Sequence, residues 1–160
     1  MSLKYKILDD LKFPEKIDFE VLLLSSMLIE RYRYGSVSDA AVDKEFDQGP
    51  PTKKDIAAVT ERLVAFIHTS PPPLLLQQTI TTVGRCADAG ISDVVTPLLE
   101  KYLEQLLEIN TVVYACMVAL DECGEVIFSR KNFGLSEFDQ NIADASRYLK
   151  EFSSKKHKSD

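Results

Sequence analysis

From Asp18 to Phe152 apolar residues return at intervals of three and four, and glycines or prolines punctuate the runs, a pattern that commits the chain to packed helices. Asp18 is placed to cap a helix over 18–34. Phe19, Leu22, Leu23, Met27, Ile29 and Tyr32 cover most of that helix's circumference, so it is expected at the centre of the fold. Gly35 closes it, and 36–51, rich in Ser, Asp, Gly and Pro, reads as a loop with room for one short helical turn around Asp39 to Glu45.

Thr52 caps a second helix to about His68, with Ile56, Val59, Leu63 and Ile67 on one face, and Ser70-Pro71-Pro72-Pro73 stops it. A third helix runs from Leu74 to about Ala89 through Leu76, Ile80 and Val83. Gly90 breaks it, and Ser92 is expected to cap a fourth carrying Val95, Leu98, Leu99, Tyr102, Leu106 and Ile109; the short connection implies an antiparallel pair. A fifth, from about Asn110, carries Val113, Met117 and Leu120 and ends at Gly124. Residues 125–135 read either as a helix extension or as a buried connector. Ser136 should cap the last helix, docked by Phe138, Ile142, Ala145, Leu149 and Phe152.

The expected fold is therefore all-α: antiparallel helix pairs, stacked as a short solenoid or as an irregular bundle, in one domain over 1–152 with a flexible basic tail over 153–160. At 160 residues and 45% apolar the chain can bury a core without a staple. Its three cysteines, Cys86, Cys116 and Cys123, are odd in number and lack a C-x-x-C spacing, which argues against a disulfide framework and for a reducing, cytoplasmic setting. Neither a secretory leader nor a membrane span is expected, since the most apolar run, Val21 to Ile29, is interrupted by Ser25-Ser26.

A net charge of −6 disfavours nucleic acid and anionic lipid as partners, with Lys155-Lys156-His157-Lys158 the single basic patch. Chemistry finds little foothold. The two histidines, His68 and His157, form no His-x-x-x-His or Glu-x-x-His pattern, so no metal site, cofactor or acid–base pair is expected. Cys116 and Cys123 lie seven apart on one helix face, but a cysteine nucleophile would need one of those histidines beside it. The expectation is a protein that is not an enzyme.

A shift of 34 residues lays Thr79 onto Val113 and Gly90 onto Gly124, so that an apolar helix, an acidic turn and a glycine recur together. Val83-Gly84-Arg85-Cys86-Ala87-Asp88-Ala89-Gly90 and Ala119-Leu120-Asp121-Glu122-Cys123-Gly124 resemble the first-helix ending of HEAT-type repeats, a likeness extending over about 74–152. It departs from that family in its shorter unit, the missing early proline and the insert at 125–135. The resemblance implies a protein-binding scaffold.

Two acidic features stand out. Glu100, Glu104 and Glu108 recur at four-residue spacing, where each like-charged pair costs a helix roughly 0.2 to 0.5 kcal/mol. Asp39, Asp43, Glu45 and Asp47 cluster before Gly49, opposed by Lys44 alone. They read either as solvated surface or as an anionic face for a basic protein, where complementary charge speeds encounter and selects the partner. In size, charge and lack of catalytic residues the chain is similar to bacterial immunity proteins that block nuclease toxins, which implies an inhibitor of a basic toxin domain. The alternative is a helical-repeat adaptor or structural subunit that meets its partners through apolar surface such as Leu74-Leu75-Leu76.

Overall fold

In the computed structural model, residues 2–46, 49–105, 110–129 and 134–159 are described. Eight α-helices, one 3-10 turn and no strand appear among them. Backbone contacts divide the chain into two compact units, Met1–Cys86 and Ala87–Asp160. No helix of the described residues is long and apolar enough to cross a membrane.

The first unit holds α1 (Leu3–Asp10), α2 (Phe19–Tyr34), α3 (Ala40–Glu45), α4 (Lys53–Ile67) and α5 (Pro73–Gly84). Local chemistry sets the ends. Asp18 accepts the Val21 N–H at 2.9 Å, and Gly35 takes the left-handed conformation (φ 80°) that closes α2. Thr52 and Asp55 bond reciprocally in a capping box at the start of α4. The helices α2, α4 and α5 pack on one another and bury Leu22, Leu28, Val59, Leu63, Leu76 and Ile80. Small polar residues lie within this core, where Ser26 Oγ and Thr82 Oγ1 share a hydrogen bond of 3.0 Å.

Sequence periodicity did not pick out α1, whose Leu3 and Ile7 are buried together with Leu11 just beyond it. Its Lys4 is buried too, with its ammonium 3.4 Å from Asp55 at the head of α4. The centrality expected of α2 holds for half its circumference. Leu22, Ser25 and Ile29 face inward, while Phe19, Leu23 and Tyr34 remain 49%, 42% and 69% exposed on the opposite face. The triple leucine also divides, with Leu76 buried and Leu74 exposed.

The second unit holds α6 (Ile91–Glu104), α7 (Asn110–Glu122) and α8 (Phe138–Lys158). α6, α7 and α8 pack on one another, burying Ile91, Val95, Leu99, Met117, Leu120 and Ala145. The antiparallel pair expected between the third and fourth helices straddles the division between units at Cys86 and Ala87. The two turns of the 34-residue repeat are built differently. In the first, Ala87 takes the positive φ (51°) and the Asp88 carboxylate accepts the Gly90 N–H; in the second, Gly124 does so (φ 90°), while the Glu125 N–H reaches back to the Leu120 carbonyl.

Three boundaries differ from the sequence reading. α5 ends at Gly84; α6 begins at Ile91 with Gly90 at its N-cap, leaving Ser92 buried inside the first turn rather than capping it. α8 begins one residue beyond Glu137 without a side-chain cap, and continues through the basic residues to Lys158. Its buried line is also rotated from the expected stripe. Asn141, Asp144, Ala145 and Tyr148 face inward, whereas Phe138 is exposed and Ile142, Leu149 and Phe152 are half-buried.

Candidate functional site

The inward polar residues of α8 clamp the segment that leaves α7. Asp144 accepts the Ser129 N–H at 2.8 Å and the Gln140 side-chain amide at 3.0 Å. Asn141 donates to the Gly134 carbonyl at 3.2 Å, and Arg147 to the Ile127 carbonyl at 2.8 Å. Residues 125–129 are thus non-helical connector, with Ile127 fully buried, which resolves the two alternatives for the described part of 125–135.

The acidic loop cluster is largely engaged locally. Asp39 caps α3 by accepting the Ala41 and Val42 N–H groups at 2.9 and 3.2 Å. Asp43 accepts the Val37 N–H at 3.0 Å and pairs with Arg31, whose guanidinium lies over the Phe46 ring. The Val37 amide, and after it Arg31, hold the Asp43 carboxyl below the usual carboxylate range despite desolvation. Glu45 is exposed, and Asp47 lies outside the described residues.

On α6 the acidic side chains face outward. Glu100 and Glu104 are exposed, as are Asp93 and Pro97 at the preceding positions of the same face, spaced by four, three and four. None of Asp93, Glu100 and Glu104 forms a salt bridge among the described residues, and Glu108 lies outside them. Sequence reasoning passed over Asp93. The available signal was Pro97: a proline inside a helix has no amide for the carbonyl four residues back, which leaves the Asp93 carbonyl without its helical donor.

Asp93 also belongs to the wall of a cavity of about 410 Å³ inside the second unit, completed by residues 124–126 and by the last turns of α8. Tyr148 and Phe152 form part of its lining, with ring centroids 5.9 Å apart. The Tyr148 hydroxyl shares a 3.2 Å hydrogen bond with Thr96 Oγ1. Burial raises the phenol above its ordinary range, and the negative charges of Glu125 and Asp93 raise it further. Glu151 pairs with Arg147 at 3.6 Å, and the Lys156 ammonium rests over the Phe152 ring, 5.6 Å from its centroid.

Of the two cysteines on α7 and its end, Cys116 is fully buried, and desolvation pushes its thiol far above the ordinary value. Cys123 is half-buried. His68 is exposed at the C-cap of α4, and His157 is exposed on α8. Compared with known proteins, the chain matches no family model, no curated protein and no solved structure.

Proposed function

We propose that this chain is a non-catalytic binding protein, an inhibitor or immunity protein that neutralises a basic toxin or nuclease by covering its positively charged surface. The observation that carries this reading is the row Asp93, Glu100 and Glu104, three exposed carboxylates on one face of α6 without salt-bridge partners among the described residues. Uncompensated charge at four-residue spacing costs helix stability, so its presence fits a surface shaped for encounter rather than for folding. Glu45 on α3 adds charge in the first unit, where Asp39 and Asp43 are occupied with holding their own loop. An odd number of cysteines without a C-x-x-C spacing suits a reducing compartment such as a bacterial cytoplasm.

An inhibition titration tests it. Basic nuclease domains assayed against increasing amounts of the chain should include one whose turnover falls stoichiometrically. Changing Glu100 and Glu104 to lysine should weaken that inhibition about ten-fold or more at low salt. A panel in which no basic nuclease is inhibited, or inhibition untouched by the double reversal, refutes the reading.

A second reading, an adaptor of HEAT-like helical repeats working through apolar surface, is favoured by the outer face of α2. Phe19, Leu23 and Tyr34 stand exposed there, where a solvated helix would carry charge. Serine at Phe19 and Leu23 would then abolish assembly without lowering helicity.

A further inference from the structure

We draw no further inference here: the strongest candidate, the outer face of α2 where Phe19, Leu23 and Tyr34 stand exposed, carries nothing more because nothing in the structure shows what covers it.

Discussion

Replacing Asp144 with alanine removes the residue on which the α8 clamp turns. Its carboxylate, 2% exposed, accepts the Ser129 N–H at 2.8 Å and the Gln140 amide at 3.0 Å, and has the Arg147 guanidinium 4.0 Å away. Hydrogen bonds to a charged group are worth about 1.5 to 3 kcal/mol each, and a buried donor left unpaired costs about 1 to 3 kcal/mol. Gln140 retains Ser129 Oγ as a partner at 3.1 Å, so the main loss falls on the Ser129 amide, for a net destabilisation of about 3 kcal/mol. For a chain of this length that is a drop of roughly 6 to 12 °C in melting temperature. Urea unfolding followed by circular dichroism reads the change as a lower midpoint. Asp139→Ala, an exposed control in the first turn of the same helix, should move stability by less than about 1 kcal/mol. An Asp144→Ala variant as stable as that control would show that the polar line of α8 does not hold the connector.

Leu63→Ala, fully buried where α4 meets α2 and α5, should cost about 2 to 5 kcal/mol, and a urea midpoint near that of the parent would contradict the assigned core. Desolvation pushes the Asp55 carboxyl up, but the Thr52 amide and hydroxyl and the Lys4 ammonium outweigh it and leave it below the ordinary carboxylate range. Its contribution to stability is therefore complete above the unfolded-state range and is lost as pH falls toward the lowered native value, so Asp55→Asn should flatten that acid limb in melts taken from pH 6 downward. Native-state labelling with iodoacetamide at neutral pH should modify Cys86 well before Cys116, whose thiol is enclosed and hard to ionise; rapid labelling of Cys116 would show that α7 is not packed as described.

Much of the helical framework was legible because it is written in local chemistry. Asp18, Gly35, Thr52 and Gly124 act within one turn of where they sit, and each does what its residue type does at a helix end. Where the reading failed, the cause lay further along the chain. The four-residue spacing of Leu3, Ile7 and Leu11 was available, yet α1 is short and bears a buried lysine that makes sense only against Asp55, some fifty residues on. The α8 stripe was drawn through apolar residues alone, whereas Asn141 and Asp144 turn inward because the connector offers them backbone partners. Acidic residues looked alike in sequence, but Asp39 and Asp43 accept nearby backbone amides, whereas Glu100 and Glu104 stand exposed on α6. The cavity could not be read at all, since Asp93, Glu125 and Tyr148 come from three separate segments.

On the proposed function, the exposed carboxylates of α6 draw in a positively charged protein. Rapid-mixing measurement of the association rate with an inhibited basic nuclease, across a series of salt concentrations, tests it most directly. The parent chain should associate fastest at low salt and slow steeply as ions are added, and Glu100→Lys with Glu104→Lys should cut the low-salt rate by about ten-fold or more while changing dissociation little. Rates that ignore both salt and charge reversal would contradict the account.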